Sequence, residues 1–144
     1  MSRFRKQSHT IWYCEYPIVW CLKYRYRVLA GKIKEEAELC IREQSRQREC
    51  DVVELNVPPD HVHLVVMIPP KVRISDDMGR LKGKSAIRLF EAFRDLRRRP
   101  YWGSHFWVEG YCVGTVGLDE EKIRKYVKYQ ERQEQRQEEF RFSR

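Results

Sequence analysis

Asp60-His61-Val62-His63-Leu64-Val65-Val66-Met67-Ile68 is the stretch on which the fold turns. It is β-branched and apolar almost throughout and follows the turn signal Pro58-Pro59-Asp60, so it reads as a strand. Strand side chains alternate between faces, which puts His61 and His63 on one side, about 6.6 Å apart along the chain. Val62 and Leu64 point the other way and can anchor the strand in a core. Two imidazoles on one face can hold a metal ion. Taken alone, the pair is equally compatible with two ordinary histidines, and no third or fourth zinc ligand stands at close spacing.

Working outward, Val52 to Val57 alternates, with Val53, Leu55 and Val57 set against Glu54 and Asn56. This predicts a half-buried strand, and the short link to the histidine strand predicts an antiparallel hairpin. Gly31 to about Arg48 reads as a helix whose apolar face is Ile33, Ala37, Cys40, Ile41 and Gln44. Before it, residues 1–8 form a basic arm. Thr10 to Leu22 is a strand rich in aromatic and β-branched residues, bent at Pro17. Lys23-Tyr24-Arg25-Tyr26-Arg27 alternates cations and aromatics, a pattern that suits base stacking beside phosphates and equally suits a solvated loop.

Downstream, Ser75 followed by Asp76 and Asp77 predicts a capped helix start, and Pro100 its stop. Met78, Leu81, Ile87, Phe90, Phe93 and Leu96 line its inner face. Its basic load includes Arg80, Lys82, Lys84, Arg88 and Arg97 to Arg99, where phosphate contacts are expected first. Gly83-Lys84-Ser85 imitates the end of a P-loop, but Met78 occupies the position of the first glycine and the segment is helical, which excludes nucleotide binding there. Trp102 to Val116 predicts a last strand, broken at Gly110. Gly114-Thr115-Val116-Gly117 predicts a flexible joint. Asp119 caps a final helix with Ile123, Tyr126, Val127 and Gln130 along one side. Tyr126 and Gln130 stand four apart and are neighbours on that helix. After Glu131 the helix is polar all round and is expected to fray.

The order is strand, helix, strand, strand, helix, strand, helix. Its first six elements match an α+β, ferredoxin-like split β-α-β sandwich: an antiparallel sheet with two helices on one face, plus a C-terminal helix carrying the tyrosine. The expectation is one domain over 1–144, divided into an arm (1–8), a core (9–117), a tyrosine helix (118–135) and a polar tail (136–144).

The 144 residues hold 29 Lys+Arg against 21 Asp+Glu, a net charge of +8, which favours a polyanionic partner such as nucleic acid. No apolar window reaches the ~18 residues of a membrane span, and no export signal follows the basic N-terminus. Five scattered cysteines without C-x-x-C spacing suggest reduced core residues of a cytoplasmic protein.

If the sheet brings the last helix to the histidines, the side-chain oxygen of Gln130 would complete a three-ligand site with open positions for phosphate oxygens. Such a site suits Mg²⁺ or Mn²⁺ in function, although nitrogen-rich sites also bind Co²⁺, Ni²⁺ or Zn²⁺. Tyr126 is a candidate nucleophile, which at a phenol pKa near 10 needs a metal or base nearby. Its attack on a phosphodiester exchanges one ester for another and needs no ATP.

With those residues in place, the chain resembles the single-tyrosine HUH transposases, the small TnpA enzymes of the IS-two-hundred type of insertion sequence. His61-Val62-His63 matches the histidine–hydrophobic–histidine motif, and Tyr126-Val127-Lys128-Tyr129-Gln130 matches the tyrosine helix. Ile18-Val19-Trp20 with Lys23-Tyr24-Arg25, Gly79-Arg80-Leu81-Lys82-Gly83, and Tyr111-Cys112-Val113-Gly114-Thr115-Val116-Gly117 match in the same order. The resemblance implies that His61, His63 and Gln130 bind the divalent metal and that Tyr126 attacks. It further implies a substrate of single-stranded DNA with imperfect hairpins, a 5′-phosphotyrosine with a free 3′ hydroxyl, and a homodimer whose composite sites use the partner's tyrosine helix. Tyr129 is a second aromatic inside the motif; Tyr126 is preferred because it alone stands four residues before the glutamine. Lys23, Arg25, Arg80, Lys82, Lys84 and Arg88 are the expected DNA-binding residues. A non-catalytic nucleic-acid-binding module on the same fold, or a domesticated relative acting on chromosomal repeat hairpins, is the alternative.

Overall fold

The histidine stretch forms a strand, and the sheet is built around it. In a computed structural model that describes residues 5–7, 10–12, 14–96, 105–114 and 120–142, the chain order is β1 (Arg5–Gln7), β2 (Thr10–Trp12), β3 (Glu15–Cys21), α1 (Gly31–Gln47), β4 (Asp51–Asn56), β5 (His61–Met67), α2 (Ile74–Ala92), β6 (Cys112–Val113) and α3 (Glu120–Phe142). Single 3₁₀ turns lie at Lys23–Arg25 and Arg94–Leu96. The main sheet has the order β4-β5-β3-β6, all neighbours antiparallel. This is the expected ferredoxin-like α+β plan, with β5 and β3 in the interior.

Alternation sorts the two central strands. Ile18 and Trp20 of β3, Leu22 just past its end, and Val62, Leu64 and Val66 of β5 are fully buried, in one cluster with Ala37, Ile41, Met78, Leu81, Leu89 and Phe90. The two long helices therefore cover that face. The other face carries Val19 and Cys21, paired in register with His63 and His61. Cys21 packs there with Val108 and Val127, with Ile123 and Tyr126 at the margin. Thus α3 lies on the histidine face.

Several expectations change. The first strand is two: β2 pairs with β1 as a hairpin, so part of the basic arm is paired strand, and β3 begins afresh at Glu15. Pro17 lies inside β3 and not at a bend. Its missing N–H faces the β6 side, where Gly114 N donates to Pro17 O at 3.0 Å, so the loss falls at the end of a two-residue pairing. In β4 the register shifts between Val52 and Glu54. This bulge turns Val53 out to 48% exposure, while Val52 and Leu55 pack on the core.

Helix α2 starts two residues earlier than predicted, with Arg73 at the cap position and no side-chain cap bond, so Ser75 is inside the helix. It ends at Ala92, well short of Pro100; residues 97–104 lie outside the described residues. Gly83, Lys84 and Ser85 are all helical, as the rejection of a P-loop requires. Among the described residues, the predicted last strand is reduced to Cys112–Val113 plus a bridge between Leu22 and Trp107, interrupted where Gly110 takes φ +93°. The residues of the predicted joint after Gly114 lie outside the described residues, and α3 continues to Phe142 without the fraying expected after Glu131. Among the described residues no helix is long and apolar enough to cross a membrane.

One buried polar tie holds the segment before α3. Trp107 Nε1 donates to Ser85 Oγ at 2.9 Å, and Ser85 Oγ donates to Leu81 O at 2.6 Å. Trp107 also meets Trp20 and Phe106 edge-on, with ring centroids 5.8 and 4.7 Å apart. Ser85→Ala leaves the indole N–H buried without its acceptor. The expected loss is about 1–3 kcal/mol, seen as a fall of several degrees in melting temperature. A loss under about 0.5 kcal/mol would show that the tie contributes nothing.

Candidate active site

The site begins with the turn that aims His61. Its Nδ1 lies 2.8 Å from the Asp60 carboxylate, and Asp60 is 6% exposed. A carboxylate accepting from Nδ1–H fixes the tautomer and leaves the Nε2 lone pair outward. Sequence reading missed this role. Its signal was the acid immediately before the first histidine.

His63 is different. Its Nε2 is buried and has no hydrogen-bond partner among the described residues. Burial holds its pKa below the usual imidazole value; Glu54 pulls upward and His61 adds a smaller downward push. The ring is thus kept neutral, the form that ligates metals.

The α3 residues arrive from above the sheet. Val127 is buried against Cys21 and Val108, and Tyr126 packs on that cluster. Gln130 is 9% exposed, and its Nε2 donates to Tyr126 Oη at 3.2 Å. With the amide nitrogen so engaged, the amide oxygen is left as an acceptor. Burial pushes the Tyr126 phenol well above its ordinary value; Cys21 adds to this, and the Gln130 hydrogen bond opposes it. Tyr129, three residues on, is 54% exposed and points outward. The two tyrosines of the motif thus differ in setting, Tyr126 half-buried against the sheet and Tyr129 open.

Imidazole nitrogens and an amide oxygen are donor types that could hold a divalent ion. Among the described residues, no group of three or more His, Cys, Asp or Glu side chains could do so.

The expected DNA-binding residues divide. Lys23 stands over the Tyr24 ring, 5.1 Å from its centroid, and Tyr24 meets Tyr26 edge-on at 6.2 Å. Tyr24 takes φ +57°, a left-handed conformation that a tyrosine rarely adopts. The Arg25 side chain lies outside the described residues. Lys84 is exposed. The other three are engaged within the fold. Arg88 pairs with Glu36 and Glu43, each at 2.6 Å. Arg80 donates to Gln44 and Gln47 at 3.1 and 3.0 Å. Lys82 donates to the Val108 and Gly110 carbonyls at 2.7 and 2.8 Å. Three of the four α2 residues expected to contact phosphate thus have acceptors within the fold, and Lys84 is open. The helix packs across α1, opposite the histidines, and its long cations find acceptors on the neighbouring elements.

Residues 10–130 match the family described as "Transposase IS200 like". The chain is 37% identical over 130 residues to the transposase of insertion sequence IS200 from Salmonella typhimurium, covering 90% of this chain and 85% of that protein. It is 35% identical over 127 residues to the ISDra2 transposase TnpA of Deinococcus radiodurans, covering 88% and 90%. A crystal structure of a candidate transposase from Deinococcus radiodurans superposes with a TM-score of 0.79 at 33% identity, over 88% of this chain and 97% of that one. A REP-associated tyrosine transposase bound to a REP hairpin shares the fold, with a TM-score of 0.54 at 16% identity, over 90% and 70%.

Proposed function

We propose, from the premise that this chain belongs to the IS200-like family of transposases, that it cuts and rejoins single-stranded DNA at the ends of an insertion sequence, with Tyr126 as nucleophile. The single observation that carries this reading is the shared sheet face. One side of β5 holds His61 and His63, the latter with an orphaned buried nitrogen, and α3 brings Tyr126 and Gln130 to that side.

His61, His63 and the Gln130 oxygen would hold a divalent ion, Mg²⁺ or Mn²⁺. The neutral, partnerless nitrogen of His63 and the carboxylate-oriented ring of His61 fit that role. When bound, the ion supplies positive charge beside the phosphate under attack. Tyr126 Oη attacks phosphorus and loses its proton, and the 3′ oxygen leaves with the bonding pair. The products are a 5′-phosphotyrosine and a free 3′ hydroxyl. A second 3′ hydroxyl attacking the phosphotyrosine reverses the step and joins strands, so no ATP is consumed. A homodimer in which α3 of one subunit serves the histidines of the other belongs to the same proposal.

The test is incubation of the protein with labelled, hairpin-bearing single strands from its own genomic flanks, with Mn²⁺ or Mg²⁺. A covalent protein–DNA adduct and a joined product are expected. Failure with every flank and both metals would overturn the reading. Asp60 offers a separate check. Asp60→Ala removes the acceptor that orients His61, and the Mn²⁺ affinity measured by calorimetry should fall about 10–100-fold. Unchanged affinity would show that His61 needs no such support.

A further inference from the structure

Of the cations expected to bind DNA from α2, Arg80, Lys82 and Arg88 have acceptors within the fold; α3 carries a second set of cations, on its outer face. Lys122, Lys125, Tyr129, Arg132 and Arg136 are all exposed. Their spacings of 3, 4, 3 and 4 residues align them in one stripe, within an arc of about 80° at ~100° per residue. The stripe lies roughly 150° around the helix from the buried side that holds Val127 and Gln130. Near its centre is the exposed Tyr129 ring, 54% accessible. Beside it, a hollow of about 460 Å³ is lined by Glu121, Arg124, Lys125 and Lys128. Glu121 holds Lys125 at 3.3 Å, with both side chains about three-quarters exposed, an ion pair a phosphate could replace readily.

We propose that this outer face of α3 is a second contact surface for single-stranded DNA, on which a base stacks against Tyr129 and neighbouring phosphates lie along Lys122, Lys125, Arg132 and Arg136. The proposal rests on the reading of the protein as a single-strand transposase and adds a place where the strand runs outside the reacting site. Charge gives the first argument: four cations in one row favour a polyanion and repel a second copy of the same stripe. The aromatic gives the second. A flat ring at the middle of a basic row suits an unstacked base, which a duplex does not offer. Tyr126 faces inward from the same helix, three residues earlier, so a strand leaving the reacting site reaches Tyr129 after a short path around α3.

The experiment measures binding of a labelled single strand and of a duplex by fluorescence anisotropy across a salt series, in chelator, where no cleavage occurs. Tyr129→Ala is expected to weaken single-strand binding about tenfold and to leave duplex binding unchanged. Lys125→Glu/Arg132→Glu is expected to weaken single-strand binding further and to flatten the salt slope by roughly 0.7 for each phosphate no longer neutralised. Far-UV circular dichroism and sedimentation should match the wild type. Unaltered single-strand affinity in both variants would overturn the proposal, as would equal weakening for single strand and duplex. A shift in oligomeric state would also overturn it by marking the stripe as an interface between copies. If the wild-type protein fails to bind single strands at all, the transposition reading falls with it. If it binds and the variants behave as wild type, only this inference falls.

Discussion

Tyr126→Phe is expected to bind its single-stranded substrate and form no covalent adduct. The substitution removes one oxygen and keeps the ring that packs on Cys21, Val108 and Val127. The hydrogen bond donated by Gln130 disappears with that oxygen, at a cost of about 1 kcal/mol. Releasing a half-buried hydroxyl offsets part of that, so the melting temperature should stay within a few degrees of the wild type. The adduct should nevertheless vanish, because no ester can form at a phenyl carbon. Tyr129 cannot substitute for it from the outward side of the helix. Denaturing gel electrophoresis of the labelled strand reads the result directly. An adduct that persists in Tyr126→Phe would move the nucleophile elsewhere and dismantle the proposed chemistry. The same residue also predicts a pH trend. Burial raises the Tyr126 phenol, so phenolate is scarce at neutral pH, and the cleavage rate should climb as the solution is made more alkaline.

His63→Ala should abolish both metal-dependent cleavage and metal-induced stabilisation. Without metal, the buried Nε2 of His63 has no partner among the described residues. An unsatisfied buried polar atom stabilises nothing, so its removal should cost the metal-free fold little beyond the packing of the ring. With metal the two proteins separate. A ligand present at a hundred times its dissociation constant stabilises a native protein by about 2.7 kcal/mol. For a chain of this size that is roughly 5–10 °C in melting temperature. The wild type should show this shift with Mn²⁺, and His63→Ala should not. If the wild type shows no metal-dependent shift, or if the variant keeps it, the imidazole pair is not the metal site.

How far the sequence carried the structure depended on which force acted. β5 was legible because Val62, Leu64 and Val66 give it one wholly apolar face and a Pro-Pro-Asp turn marks its start. Helix α1 was legible for the same reason at the helical period. β4 was misread at Val53 because a bulge keeps the same residues and only changes their phase. The hairpin of β1 and β2 was missed because backbone pairing needs no apolar pattern, and Arg5-Lys6-Gln7 has none. The length of α2 was overestimated because Phe93 and Leu96 keep the helical period although the helix has already ended at Ala92. In the candidate site, spacing and resemblance singled out His61, His63, Tyr126 and Gln130, and the fold sets both pairs on one side of the sheet. The engagement of Arg80, Lys82 and Arg88 was not visible, because their partners lie 26 to 52 residues away in the chain.

The grip of α2 on the 105–114 segment has a further effect. Lys82 binds the carbonyls of Val108 and Gly110, Ser85 binds Trp107, and Gly114 is bonded to Pro17. Gly114 is thus tied to the sheet edge, six residues before Glu120 in the sequence. Six residues of chain span at most about 20 Å. Any imidazole pair that Tyr126 serves, in its own subunit or another, must lie within the distance set by that chain length and the first two turns of α3. An insertion between Gly114 and Glu120 would extend that limit without touching a single reacting group.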